Sequence, residues 1–566
     1  MNICLMLVAA IVAVTFAPGA QAKIDEREKV EILYETTLNL IHLLVEQGVI
    51  KQEVADEMIR KAEQKAKSSQ RQAPENTAQP EAGEPQKGEV RVTYVPEHIK
   101  NEIRDQLREE VVGQAKQERW GDVNAVPEWT NRFTMEGDIR LREQADFYAS
   151  SNAPAANFLA NGQQIGNTTE DSYHRERIRM RLGINANVTK GVDLGLRLTT
   201  GNVNDPATTG QILGSPISIG SPTSTLQTFG TFNSKFSFVL DQAYLKLSPS
   251  DWFTVTGGRI PNPFFVGTVG NIYTGTLREG PHTIPAAGVV HTDLLWDVDL
   301  NFEGLAINLH PWLDHDRVIK PFFNAGIFPL QEINQSETVK SKDKWFYGAQ
   351  AGVEWAPEDS DTTVRVGAGI YDYRNISGVR NPAFGDTLFN QTATLFRQKG
   401  NSLFNIDNDG NPTTNLWALA ADYRIANLTM VADYAGFRPI HIIGALDFAR
   451  NVGYNEDKIL ARTGQNIKPE INAYQARLTI GHPIISERHQ WQVLGFYRRS
   501  ERDSMLDAFT DSNYLLGGTN HKGYTIQGLY GVANNTWLGL RYMSYDQVSG
   551  LPLAIDTVNL DFNARF

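Results

Sequence analysis

Arg177-Ile-Arg-Met-Arg-Leu-Gly-Ile-Asn-Ala-Asn-Val188 reads with a period of two. Ile178, Met180, Leu182, Ile184, Ala186 and Val188 share one face, and Arg177, Arg179, Arg181, Gly183, Asn185 and Asn187 share the other. A β-strand sends successive side chains to opposite faces, so this stretch is a strand with one greasy and one wet side. Phe133 to Arg142 repeats the pattern, with Phe133, Met135, Ile139 and Leu141 opposite Thr134, Glu136, Asp138, Arg140 and Arg142. Soluble sandwiches also build such strands. What decides the fold is which face meets water.

Four features turn the apolar face toward hydrocarbon. The alternating segments are about ten residues long, enough for a tilted strand to cross a bilayer. Aromatics gather toward segment ends, at Trp252, Trp312, Trp345, Trp355, Tyr371, Tyr373, Trp417, Trp491, Trp537, Tyr542 and Tyr545, as in interfacial girdles. Connections alternate long and short, the outer-membrane barrel habit. The long ones are expected near 145–174, 202–235, 261–297, 329–343, 374–414, 438–470 and 501–521; Thr189-Lys190-Gly191, Ser248 to Asp251 and Asn534-Asn535 are short. Finally, Val558, Leu560, Phe562, Ala564 and Phe566 face away from Asn559, Asp561, Asn563 and Arg565, a last strand that can close on the first. Its terminal aromatic, Phe566, resembles the assembly signal of bacterial outer-membrane proteins. The expected fold is an all-β transmembrane barrel of sixteen antiparallel strands, within a range of 14–18. Alternation is mixed around 345–373 and 471–500; Leu494 and Phe496 oppose Trp491, Val493 and Tyr497, which suits a neighbouring subunit or a filled stretch of lumen.

Working outward from the barrel (127–566), the N-terminal part reads differently. Residues 1–22 form a signal peptide, with an apolar run from Leu5 to Phe16 and an A-x-A site at Ala20-Gln21-Ala22. That run is too short to span a bilayer as a helix. The only cysteine, Cys4, lies within it, so no disulfide framework is expected. Residues 23–67 form a helical segment whose stripe (Val30, Leu33, Thr37, Leu40, Leu44) is coiled-coil-like. Residues 68–94 read as a Gln/Pro/Glu/Gly-rich linker. Residues 95–126 hold a helix, with Ile99, Ile103, Leu107, Val111 and Ala115 on one face, and the junction. These helices are expected in the periplasm, as a hairpin or as a contact between subunits.

The net charge of −12 disfavours a nucleic-acid partner. HExxH, GxSxG, GxxxxGK[ST] and CxxC do not occur, so neither an enzyme nor a cofactor is expected. Asn405-Ile-Asp407-Asn-Asp409-Gly410 opens like a calcium loop, but Leu416 stands where the closing Glu belongs, so an Asx-rich turn is the better reading.

If the apolar faces meet lipid, the opposite faces line a lumen. Arg140, Arg142, Arg177, Arg179, Arg181, Arg197, Arg365, Arg477 and Arg541 are the candidate lining residues. Arg177, Arg179 and Arg181 would stack about 7 Å apart up one wall. They would draw anions, or be held by Glu136, Asp138, Asp193, Asp422 and Asp433 as a structural network.

Gly257 to Phe265, Leu294 to Ala306, and the junction from Val95 through Trp120 resemble the family known as putative porins of Gram-negative outer membranes. The resemblance covers roughly residues 90–566. It implies a passive pore for small hydrophilic solutes, inserted among outer-membrane lipids by the assembly machinery, and fixes no substrate. By likeness to sixteen-stranded general porins, it implies a homotrimer and a third loop, Pro261 to Asp297, that folds inward as a constriction. Arg278, Glu279, Asp293 and Asp297 would be its charged residues. A substrate-specific channel, or a structural barrel tethering the outer membrane through its helices, are the alternatives.

Overall fold

The structure is a computed structural model describing residues 132–163, 165, 169–201, 227–228, 235–267, 292–311, 318–411 and 414–566. The signal peptide, both N-terminal helices, the linker and the start of the barrel region lie outside the described residues, as do Arg278, Glu279 and Trp312.

Sixteen long strands follow one another up and down. β1 (Phe133–Tyr148) is followed by β2 (Tyr173–Thr189) and β3 (Val192–Thr200), then β4 (Phe238–Ser250) and β5 (Phe253–Pro261). Next come β6 (Asn301–Leu309), β7 (Ile319–Gln331), β8 (Lys344–Trp355) and β9 (Thr362–Arg374). β10 (Tyr423–Phe437), β11 (Ile440–Asn451), β12 (Asn472–Gly481) and β13 (Trp491–Ser500) lead to β14 (His521–Ala533), β15 (Thr536–Gln547) and β16 (Ala554–Arg565). Each pairs antiparallel with its neighbour, and β1 pairs with β16 from Asp138↔Arg565 to Tyr148↔Ile555. The barrel is therefore closed, leaving no edge to be satisfied by lipid. A two-residue strand, Gln227–Thr228, adds to β2, and Leu403–Asn405 pairs with Trp417–Leu419 outside the wall.

The wall is inside out. Along β1, Glu136, Asp138, Arg142, Gln144 and Asp146 are buried, whereas Phe133, Met135, Ile139, Leu141 and Phe147 are exposed. Leu428, Leu446, Leu478, Ile526, Leu540 and Leu560 continue the exposed apolar belt. Polar groups face inward, where they pair with one another.

One rim carries tight turns. Lys190-Gly191 and Asn534-Asn535 each join two strands in two residues, with positive φ at Gly191 (77°) and Asn535 (51°), which hairpin turns of this length need. The other rim carries the long connections, including the third (262–300), the fifth (375–422), the sixth (452–471) and the seventh (501–520). Trp252, Trp355, Tyr434, Trp491 and Tyr530 are exposed toward the short-turn rim, and Tyr347, Tyr474, Tyr497 and Tyr524 toward the other.

Two expectations need correction. Residues 438–470 are not one long loop, because β11 occupies their first part and the preceding connection runs to 422. The inward face of β11 is largely apolar (Ile443, Ala445, Ala449), which blurs the alternation. Tyr371, Tyr373, Trp537 and Tyr545 do not belong to the girdles. They share the inward parity of their strands and are buried, 0% exposed for Tyr371.

Candidate functional site

The register of β1 with its neighbours assembles the arginine wall. Arg140 lies opposite Arg179, Arg142 opposite Arg177, and Asp138 opposite Arg181 on β2; across the seam, Arg142 lies opposite Asp561 on β16. Like charges directly opposite repel, so the wall needs carboxylates. Asp138 accepts from Arg181 Nε at 2.9 Å and Nη2 at 2.5 Å, and from Arg179 Nη2 at 3.1 Å. Arg142 forks onto Asp561 at 2.7 and 2.9 Å. Arg140 donates to Asn563 and Arg177 to Gln144.

The remaining lining candidates also sit on inward faces. Arg197 meets Asp241 at 2.5 Å, and Arg541 donates to Gln527 at 2.9 Å. Arg477 lies over the Phe496 ring at 4.8 Å. Arg365 stands 4.7 Å over Phe322 and 4.9 Å over Phe265. Of the carboxylates expected to balance them, Glu136 and Asp138 hold β1 to its neighbours. Asp193 binds Asn187, Asp433 binds His441, and Asp422 lies in the fifth connection against Arg462. Sequence reasoning missed Arg175, paired to Asp146 at 2.8 Å, although it shares the parity of Arg177. It also missed Arg498, Asp241, Asp299 and Asp561, whose partners lie up to 419 residues away in sequence.

The third connection enters the interior at both described ends. Phe264 packs among Trp296, Phe302, Phe328, Phe346 and Tyr371, with Tyr371 at 5.1 Å and Trp296 at 5.5 Å between ring centres. Gly348 leaves room for the Phe264 ring, since a Cβ there would come within 2.3 Å of it. Phe265 is clasped by Gln350, which accepts from its N–H at 2.7 Å and donates to its carbonyl at 3.0 Å. The returning segment crosses from wall to wall. Thr292 donates to Asp447 on β11, Asp293 accepts from Arg498 on β13 and from Tyr514 of the seventh connection, and Asp299 reaches Arg179 and Arg181 on β2 at 3.5 and 3.4 Å. The carboxylate that meets the arginine ladder is thus Asp299. Asp297, two residues before it, instead accepts from the N–H groups of Asp299 and Ser512.

Burial in these connections moves protons. Burial, then Asp511 and Asp299, pushes Asp297 well up. Burial alone would raise Asp299 too, but Arg179, Arg181 and Arg197 hold it down. Burial raises Asp507 to about 7 and lowers Lys399 to about 7.

Asn405 accepts from the N–H groups of Asp407 and Leu416, Asp407 from that of Asn408, and Asp409 from that of Asn411 and from the Thr414 hydroxyl. These oxygens fasten a turn, and among the described residues no cluster of His, Cys, Asp and Glu is arranged to hold a metal. Phe566 exchanges backbone hydrogen bonds of 3.0 Å with Gly137 and lays its ring over that glycine.

A closed barrel, apolar outside and charged within, defines an outer-membrane channel. The chain belongs to the family described as "Putative porin", which matches residues 34–220 and 217–566. The fold is similar to OprB of Pseudomonas putida, with 11% identity, a TM-score of 0.43, and coverage of 79% of this chain and 97% of that one. The outer membrane channel DcaP of Acinetobacter baumannii matches with 10% identity and a TM-score of 0.37, covering 77% of this chain and 97% of that one. OmpF of Salmonella typhi gives 10% identity, a TM-score of 0.37, and the same 77% and 97% coverage. No curated protein matches the sequence.

Proposed function

We propose that this channel passes small hydrophilic solutes by passive diffusion, with a preference for anions set by the arginine wall. The carrying observation is the inward row Arg175, Arg177, Arg179 and Arg181 beside Arg140 and Arg142, six guanidiniums on two adjacent strands. Field-shaping charges in a narrow, wet passage bias which ions enter. The third connection serves as the constriction in this reading, with Asp293 and Asp297 anchoring it and Arg278 and Glu279 as its further charged residues.

Residues 1–22 act as a removed signal peptide, and the helices of 23–67 and 95–126 lie in the periplasm on either side of the 68–94 linker. The start of β1 at the short-turn rim, where Arg132 donates to Val188, supports that side. Phe566 serves as the assembly signal, and the channel forms a homotrimer by analogy with sixteen-stranded pores. A substrate-specific channel is the second reading, favoured by the way the third and seventh connections fill the interior around Asp293 and Tyr514.

Planar-bilayer recording tests both. Ohmic steps with anion-over-cation permeability, lost when Arg177, Arg179 and Arg181 are all changed to Gln, support the diffusion reading. An unchanged reversal potential in that triple variant makes the arginines scaffolding. Block of the steps by one solute at micromolar concentration favours the specific channel.

A further inference from the structure

Away from the ladder, toward the short-turn end of the interior, a second group of cations stands on a different footing. Arg365 on β9 lies against the rings of Phe322 and Phe265, 4.7 and 4.9 Å from their centres, where the two rings meet edge to face at 5.6 Å. Contact of this kind holds a guanidinium in place by cation–π attraction while leaving it able to donate hydrogen bonds. Both rings are locked. Gly352 and Gly367 carry no Cβ where one would meet Phe322 at 2.2 Å and Phe265 at 3.0 Å, and Gln350 clasps the backbone of Phe265.

The charges around Arg365 do not cancel. Asp138 holds its two arginines at 2.5 to 3.1 Å. Glu354, by contrast, lies 3.7 Å from Arg365 and 3.9 Å from Lys320, beyond hydrogen-bond reach of either. The Nε of Arg365 is buried with no hydrogen-bond partner. Lys320, on β7, lies opposite Glu354 in register. His310, in the turn before β7, stacks on Phe322 with ring centres 6.4 Å apart. Burial, then the charges of Arg365 and Lys246, lowers it to about 4. Lys320 is half-buried on an inward face.

We propose that Arg365 and Lys320, with His310 beside them on the Phe322 ring, form a subsite for a small oxyanion, a phosphate or a carboxylate, on the interior wall. Two cations face one carboxylate that hydrogen-bonds neither, and the guanidinium is held against two fixed rings, an arrangement that can take an oxyanion through charge-assisted hydrogen bonds. The subsite rests on the reading that the interior carries solutes. It differs from the ladder in being a discrete stopping place rather than a field.

The test is calorimetric titration of the full-length protein in detergent micelles with inorganic phosphate, and with acetate in a parallel arm. The wild type should bind phosphate with a dissociation constant on the order of 1 mM, and acetate more weakly for its single charge. Arg365→Gln should weaken phosphate about tenfold or more, and Glu354→Gln should tighten it by about threefold. The triple ladder variant should leave it within about twofold. Glu354→Gln changes no stacked ring, so it carries the test even where Arg365→Gln fails to fold. No heat from the wild type, or identical isotherms for wild type and Glu354→Gln, overturns the subsite. A protein that binds phosphate as expected but gives no conductance steps would sink the diffusion reading and leave the subsite standing.

Discussion

Asp138 is shared by two guanidiniums, and its burial means that water cannot take its place. Removing one partner of a buried charge group is far worse than never having built it, because the remaining charges stay desolvated. Asp138→Asn should therefore cost about 3 kcal/mol in urea unfolding of the folded barrel. The same variant leaves Arg179 and Arg181 with Asp299 alone, so the reversal potential in a salt gradient should move toward greater anion preference. A stability unchanged by the substitution would mean that Asp299 and water suffice. The inward arginines were legible in the sequence because parity alone assigns their face. Their partners were not. Asp241, Asp299 and Asp561 meet arginines only through strand register and loop entry, and neither leaves a local mark in the chain.

Among elements, the third and seventh connections depend on each other. Asp297 donates its N–H to the Phe509 carbonyl and accepts from Ser512, and Asp293 binds Tyr514. Asp297, Asp507 and Asp511 are all raised, chiefly by burial. A carboxylate raised on folding favours the packed state when protonated. Its contribution is full below the unfolded value near 3.8 and is lost as pH climbs through the folded one, about 7 for Asp507. These connections should thus loosen as pH rises from about 4 to about 7, seen as faster protease cleavage within 501–520 and more open-channel noise. Asp507→Asn with Asp511→Asn should flatten that dependence, and unaltered pH sensitivity in the double variant would refute the assignment. At the other end of the third connection, Gln350→Ala removes both side-chain bonds to Phe265 and should destabilise its seating by roughly 1–3 kcal/mol, read as increased single-channel conductance. The inward fold of this connection was expected from likeness to general porins. The aromatic wall that receives it was misread as girdle, since Tyr371 and Tyr373 look interfacial until their parity with Arg365 is followed along β9. Leu494 and Phe496 taught the reverse. Their wrong-face position signals a filled interior, and both are buried in the cluster that contains Tyr514.

At the scale of the whole molecule, sixteen strands and closure were readable because period-two alternation, repeated at bilayer length, admits few other solutions. The same burial pattern would suit a soluble barrel only if water wet the apolar belt, and one pair of neighbours separates the two cases. Leu540 is 57% exposed near the middle of β15, while Arg541, one residue on, points inward to Gln527. In a soluble protein an exposed Leu540→Arg would be nearly neutral, because the new charge would sit in water. In a bilayer the same side chain meets hydrocarbon close to the midplane, where Arg costs about 2–4 kcal/mol. Leu540→Arg should therefore lower the unfolding free energy in lipid vesicles by that amount, while Arg541→Leu should leave membrane insertion intact and change only the pore. Equal tolerance of both substitutions would mean that the belt does not face lipid.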